Sequence, residues 1–475
     1  MPNLQEVVFP AHGLLAEPNL MFHPDRQEDT HKHPLKGLLE FGPYSRSFGL
    51  QVFDPIRVAV ICPYGWSQRI DFLLKELEQR HYPRERKTYL TEFLGFSRIF
   101  GIRVVRANDQ VQVELPSGVD KDISTSERPH LVLAETISRA IASLEVKRSH
   151  FDVLLVLLPE KWRAGYEGGD EEDFDLHDYI KATSASKGIP SQIVLEKGGL
   201  DYFCRASVMW RLGIAFYVKA GGVPWKLAHA EQDVAYVGLG YAIRSTANRQ
   251  DRFVSCCSQV FDADGAGLEF IGYEAKDPSI EQDNPFLSRV SMMRVMSRSL
   301  ALYQKRHAGQ KPKRVAVFKS TPFKPEEIDG CFDALHGTES IDLVQVQQDT
   351  SWRGIHQEVE GAPSNYPCVR GTYLPLGGRD VLLWTQGNAP SAVGGANFFK
   401  EGKSIPQPLL LTRFAGHGGW EDSCRWVLGL TKMNWNNDSL YDKLPVTLSY
   451  ASMLARILKR IPRLTSQPYQ FRLFM

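Results

Sequence analysis

The sequence predicts an α/β protein in two halves: a parallel sheet covered on both faces, followed by a mixed sheet. Between residues 56 and 220, short continuous Val/Ile/Leu runs alternate with amphipathic helical segments. Such runs lack an outward polar face, as strands buried on both sides do. After residue 233 the texture changes to strands in hairpin succession followed by a long helix. No internal repeat or low-complexity linker separates the halves, so they are expected to share an extensive interface.

Residues 1–50 are rich in Pro, His and Gly without a sustained period, and read as an irregular arm that packs on something else, such as a partner. IRVAVICP (56–63) is a buried strand, and FLLKELEQR (72–80) is a helix with Leu73, Leu74 and Leu77 on one face. IRVVRA (102–107), FDVLLVLLPE (151–160) and SQIVLE (191–196) are further strands. HLVLAETISRAIASLEV (130–146), a segment starting near Asp175, and residues 205–220 are helices between or after them. In such a sheet the ligand site is expected at the carboxyl ends of the strands. VPWKLAHAEQD (223–233) reads as a connector. Residues 233–245 form a strand, and 252–276 a hairpin turning at Asp262–Gly267. A helix spans about 285–307, then the strand KRVAVFKST (313–321) and the helix FKPEEIDGCFDAL (323–335). Strands follow at 341–348, 368–377, 380–387 and 408–415, and the chain closes on two helices from Trp420 and Pro445.

At 475 residues, 43% hydrophobic and 23% charged, the composition is that of a soluble globular protein with two or three domains. A net charge of +1 argues against indiscriminate coating of nucleic acid, although a basic channel balanced by acidic runs such as EGGDEEDFD (167–175) remains compatible with it. The seven cysteines are scattered without C-x-x-C spacing, so neither a disulfide framework nor a zinc site is indicated, and a reducing cytoplasm is the expected location. The start has no signal-peptide pattern, and runs such as VLLVLLP (153–159) are too short to span a bilayer.

The chemistry gathers between His177 and Gly222. A polar helix start carries His177 and Lys181, a short extended piece carries Gln192, and a second helix ends in Lys219 before Gly221 and Gly222. One helix–strand–helix unit thus returns two lysines, an amide and an imidazole towards each other. All are donors when the imidazole is suitably protonated, and none is an acid. Such a site suits an anion with several oxygens, as a terminal phosphate has. The competing reading is two amphipathic helices with ordinary solvated lysines.

Several segments in order resemble the MID and PIWI domains of Argonaute proteins. GPY (42–44) resembles the segment leading into MID, and KAGGVPWKL (219–227) the K-x-G-G segment that closes it. His177, Lys181, Gln192 and Lys219 match the pocket that holds a guide strand's 5′ phosphate, with His where the family often has Tyr. TKMNWNN (431–437), PVTLSYASMLAR (445–456) and the apolar end FRLFM (471–475) resemble the last part of PIWI. The resemblance implies a Rossmann-like MID domain over 51–225, an RNase H-like PIWI domain over 226–475, and an arm over 1–50. With nothing matching N-terminal and PAZ domains, it points to a short prokaryotic Argonaute.

A slicing PIWI domain gathers carboxylates around two magnesium ions. The family positions fall here on Gly240, Ser320 and Ser452, none an anionic ligand, so the expectation is a protein that does not cut. Glu326 and Glu327 supply acids nearby, but as isolated surface carboxylates they make no two-metal site. The alternative is an active guide-directed endonuclease whose acids are misaligned. The resemblance further implies that the carboxylate of Met475 reaches the phosphate pocket and helps hold a structural Mg2+ between guide phosphates. Arg205, Arg211, Lys226, Arg244, Arg413, Lys432 and Arg456 are candidates for a backbone groove, about half of them expected to be structural. It implies a guide RNA with a 5′ phosphate, a single-stranded DNA target, and an APAZ-containing effector carrying a sirtuin-like NADase, or else a TIR domain or nuclease. Target recognition would then deplete NAD+ in a cell invaded by plasmid or phage.

Weaker signals carry less. DADGAG (262–267) lacks the distal acid of a calcium loop, and GHGG (416–419) reads as a strand-to-helix turn because no nucleophile elbow accompanies it. No G-x-G-x-x-G or Walker loop supports a nucleotide-binding enzyme. Cys256 and Cys257 alternate across a strand, and Trp352, Trp384, Trp420, Trp426 and Trp435 are expected in the core.

Overall fold

Alternate residues of one strand show how the first sheet is covered. In the strand Val153–Leu158, Leu154, Val156 and Leu158 pack with the helices Pro129–Glu145 and Leu176–Ser186, while Val153, Leu155 and Leu157 join the opposite core with Ser67–Leu77 and Arg205–Lys219. The computed structural model describes residues 11–48, 54–169, 173–228, 231, 233–244, 253–262, 267–275, 278–282, 284–358, 361–399, 404–461 and 468–475. All pairings in this sheet are parallel, in the order Val104–Arg106, Ile56–Cys62, Val153–Leu158, Ser191–Leu195, with Gln112–Glu114 against the far end of Ile56–Cys62. Ser191–Leu195 is therefore an edge strand. The preceding helix starts where Asp175 accepts the Asp178 amide at 2.8 Å, a side-chain cap.

The second sheet has ten strands and is mixed, as the hairpin pattern predicts. Its centre is parallel, with Val234–Arg244, Arg314–Lys319 and Ser340–Gln347 side by side. Antiparallel strands extend it both ways: Phe253–Phe261, Gly267–Ala275 and Tyr469–Gln470 on one side, Leu409–Ala415, Asp380–Leu383, Thr372–Pro375 and Gly13–Leu14 on the other. Helices Arg289–Arg306 and Pro325–Ala334 cover one face. Trp420–Leu430 and Val446–Leu458 cover the other, within a core that continues into the first sheet. The halves thus share one apolar interior.

The described part of the arm is ordered against the chain itself. Gly13–Leu14 pairs with Tyr373 and Thr372, Leu20–Met21 pairs with Lys226–Leu227, and Pro34–Phe41 is a helix. A buried triad anchors it: Arg370 Nε donates to Glu17 Oε2 at 2.9 Å and Lys432 Nζ to Glu17 Oε1 at 2.7 Å. Burial raises the Glu17 carboxyl, but attraction from both cations outweighs it and leaves the group below its usual value. The arm is thus less irregular than the sequence reading had it, and the surface it packs on is that of the chain itself.

Removing one member of a buried charge cluster strands the others. Glu17→Ala is expected to lower stability by about 3–5 kcal/mol, read as a shift in the urea unfolding midpoint. An unshifted midpoint would mean the triad does not anchor the arm.

Candidate functional site: an anion pocket with two buried lysines

Lys181 sits one turn after His177 on the helix Leu176–Ser186 and is 2% exposed, and Lys219 ends the helix Arg205–Lys219 and is 0% exposed. Because that second helix runs back antiparallel to the strand before it, its end returns to the start of the edge strand, where Gln192 lies. Lys219 Nζ donates to Gln192 Oε1 at 2.6 Å, and Gln192 Nε2 donates to the Ile193 carbonyl at 2.9 Å. Lys181 Nζ donates to the carbonyl of Ser191 and to a main-chain oxygen of Met475, the last residue of the sequence. Phe474 packs edge-on against Phe270, and Phe471 stacks on Tyr450, which fixes the approach of that residue.

No side-chain carboxylate offsets the two ammoniums. Burial lowers Lys181 to about 7, and burial together with Lys181 pushes Lys219 well below the usual lysine value. Their neighbours are neutral acceptors and one main-chain oxygen. An oxyanion entering here would gain two charge-assisted donors and relieve the lysines' mutual repulsion.

Three of the four predicted residues converge, with Met475. His177 stands apart at the rim: its side chain is 52% exposed and its Nδ1 lies 3.4 Å from Asp178 Oδ1. The convergence is beside the first residues of the edge strand rather than at the strands' carboxyl ends. A cleft of about 290 Å3 continues from Gln192 along that strand to Lys197, with Arg211, Leu212 and Asn436 on its walls. Lys197 was not singled out from the sequence, although the turn signal Lys197–Gly198–Gly199, with Gly198 at φ 88°, marks it. Asn436 comes from the other half, within the segment TKMNWNN already noted, but nothing local assigns it to this cleft.

A second feature invisible in sequence is the buried Asp178, which holds Arg456 of the last long helix, with Nε–Oδ2 at 2.5 Å and Nη2–Oδ1 at 3.2 Å. Lys459 and Arg460 hold Asp173 in the same way. Burial raises the Asp178 carboxyl, but bonds from His177 and Arg456 more than offset this and keep it low. Asp175, His177 and Asp178 bring ligand atoms within 4.8 Å of one another, but Asp178 is already neutralised by Arg456.

No family profile matches the chain. A curated relative, the Argonaute protein of Aquifex aeolicus, is 23% identical over 346 residues, covering 70% of this chain and 42% of its own length. Among solved structures, Clostridium butyricum Argonaute bound to a guide DNA and a 19-mer target DNA matches with TM-score 0.63 and 16% identity over 96% of this chain. Drosophila Piwi matches with TM-score 0.63 and 15% identity over 97%, and A. aeolicus Argonaute with externally bound siRNA with TM-score 0.62 and 17% identity over 98%.

The fold is that of the Argonaute MID and PIWI domains.

The curated relative and the solved structures are Argonaute and Piwi proteins, and at 15–23% identity the likeness to them is one of fold. The chain spans about half the length of these relatives, 42% of the curated one and 54–56% of the solved ones.

Within this fold, the strand Val234–Arg244 lies directly under the last long helix. A Cβ on Gly240 would stand 2.3 Å from the main chain of Ala451 and 2.7 Å from Ser452 N, and one on Gly238 would stand 2.0 Å from the Thr447 carbonyl. Gly240 and Ser452 are thus neighbours, as their assignment to a common site requires, but no side chain fits at 240. Ser320 is exposed just past its strand, and beside it Lys319 is fully buried and paired with Glu327. Glu327 is therefore not the isolated surface acid expected: it accepts from Lys319 and from the Leu287 amide at 3.0 Å.

Several groove candidates prove structural. Arg205 pairs with Glu76, Arg413 donates to the carbonyls of Gly418 and Gly419, Lys432 belongs to the arm triad, and Arg456 holds Asp178. Lys226 lies over the Tyr44 ring, Arg211 lines the cleft, and the Arg244 side chain lies outside the described residues. The side chains of Cys256 and Cys257 and the turn at 263–266 also lie outside them. GHGG joins the strand Leu409–Ala415 to the helix Trp420–Leu430 as expected. Trp352, expected in the core, is 47% exposed, whereas Trp384, Trp420, Trp426 and Trp435 are buried. No helix among the described residues is long and apolar enough to cross a membrane.

Gly240→Ala is expected to cost about 1–3 kcal/mol by overpacking, whereas the exposed Ser452→Ala should change stability by no more than about 0.5 kcal/mol. Thermal unfolding of the two variants checks the close approach. The buried lysines also set a pH dependence. Between Lys181's folded value of about 7 and its ordinary 10.5, the unfolded chain binds more protons, so the ligand-free protein should gain stability as pH rises through that window. The slope is at most about 1.4 kcal/mol per pH unit for each group. Lys181→Met should flatten it and stabilise the free protein at pH 7. A variant with the parent's pH profile would remove the argument for a buried, uncompensated ammonium.

Proposed function

We propose that this chain recognises single-stranded nucleic acid through a bound guide, in the manner of a short prokaryotic Argonaute, and does not cleave it. The observation that carries the reading is the pair of buried lysines joined by Gln192, with no carboxylate side chain to neutralise them. A guide's 5′ phosphate, which carries up to about −2 charge, would take two charge-assisted bonds from Lys181 and Lys219 and one from the Gln192 amide. His177, exposed at the rim, would meet the first nucleotide. In this reading residues 51–225 serve as the MID domain and 226–475 as PIWI.

Pairing between guide and target would supply sequence recognition, with the protein holding backbone and duplex shape. A non-cutting PIWI half is supported by Gly240, Ser320 and Ser452 and by the absence of side-chain room at 240. Mg2+ is compatible with the pocket only together with the anion. Met475 offers one main-chain oxygen, and the other groups are ammoniums and an amide, so further ligands would be phosphate oxygens and water. A guide RNA, a DNA target and an APAZ-containing effector follow from the family resemblance. That effector, sirtuin-like by preference or a TIR domain or nuclease, would act as the NAD+-depleting or nucleolytic arm of defence against plasmids and phage in the cytoplasm.

Wild-type protein is expected to copurify with short 5′-phosphorylated nucleic acid, and to bind a 5′-phosphorylated oligonucleotide more tightly than its 5′-hydroxyl counterpart. Lys181→Ala combined with Lys219→Ala should lose both behaviours, because each lysine contact contributes roughly 1.5–3 kcal/mol. Wild-type loading in the double variant would reject the pocket. A cut target in the presence of guide and Mg2+ or Mn2+ would instead establish an endonuclease.

A further inference from the structure

A second cleft, sharing no lining residue with the first, lies between the arm, the ten-stranded sheet and the helix Trp420–Leu430. It measures about 410 Å3 and is walled by Leu15, Leu227, Tyr236, Trp426 and Gly429. This is the size of a pocket for one or two large side chains. Trp426 is 5% exposed, its ring packs against Tyr236, and its indole Nε1–H is buried without an acceptor.

Above the cleft runs Gly13–Leu14, the outermost strand of the sheet, with no strand on its other side among the described residues. The Leu15 amide points inward, donating to the Gly371 carbonyl at 3.0 Å. Since successive amides of a strand point to opposite edges, Leu14 presents its N–H and C=O outward, and its side chain is 61% exposed. The rim is acidic: Glu231, Glu421 and Asp422 share the guanidiniums of Arg314 and Arg425.

We propose that this edge and the cleft beneath it take an extended segment of a partner protein. The segment would add as a strand to Leu14, seat an apolar side chain against Trp426, and place a basic residue at Glu231 or Glu421. Strand addition supplies main-chain bonds, while the pocket for every second side chain gives specificity. The inference rests on the sheet edge and the cleft, and is independent of guide binding.

The test uses a capped, fluorescently labelled peptide of alternating lysine and leucine, titrated into full-length protein with 15N-labelled tryptophan. The indole N–H resonance that disappears in Trp426→Phe should shift on titration. Leu14→Pro removes the outward amide while leaving the Leu15–Gly371 bond, and should weaken the peptide about three- to tenfold, as loss of one main-chain bond does. A glutamate–leucine peptide should bind more weakly than the lysine–leucine one. Loading of 5′-phosphorylated oligonucleotide should be unchanged in Leu14→Pro, which separates this proposal from the pocket assignment. The proposal fails if the Trp426 resonance does not move, if Leu14→Pro binds as tightly as the parent, or if the peptide binds only once residues 1–10 are deleted.

Discussion

Two ammonium groups held out of water without a carboxylate side chain are the constraint around which the first half of this molecule is arranged. Burying a charge is costly, and the usual remedy is a counter-ion. Here no carboxylate side chain joins them: the carbonyl of Ser191, the amide oxygen of Gln192 and a main-chain oxygen of Met475 accept their hydrogen bonds. A fold that keeps such a cluster retains a standing affinity for an anion. The stability lost in the free protein is the reverse side of the energy available on binding.

That cluster is assembled by both halves. Met475 reaches Lys181 because Phe471 and Phe474 are locked into the core beside the second sheet. Asp178, on the same helix as Lys181, is clamped by Arg456 on the helix that lies against Gly238 and Gly240. The pocket helix and the centre of the ten-stranded sheet thus contact the same helix, Val446–Leu458. The arm adds a separate lock, since Glu17 sits between Arg370 and Lys432, and Trp225 Nε1 donates to the Lys432 carbonyl at 3.0 Å.

The same interlocking explains which residues were misread from the sequence. Arg413 and Lys432 read as groove cations from the segments that carry them, yet each is buried against groups brought in by the fold. Glu327 read as an isolated surface acid, but Lys319 from the preceding strand holds it inside. Trp352 read as core by residue type and instead lies on an exposed loop. Only for Lys432 is the deciding partner, Glu17, distant along the chain; Arg413 and Glu327 are held by groups on the next or preceding element, and it is the packing of those elements that turns them inward.

By itself the sequence determined the layers: continuous apolar strands imposed a doubly covered parallel sheet, hairpin succession imposed a mixed one, and the spacing of His177, Lys181, Gln192 and Lys219 placed three of those four residues at one edge strand. These are local properties, fixed by the two-residue period of strands and the 3.6-residue period of helices. Only the tertiary structure decided that the lysines lack a carboxylate side chain, that Met475 joins them, that His177 stays at the rim, and that no side chain fits at Gly240. Burial and charge pairing depend on which surfaces meet, and that is settled only when the two sheets close on a common core.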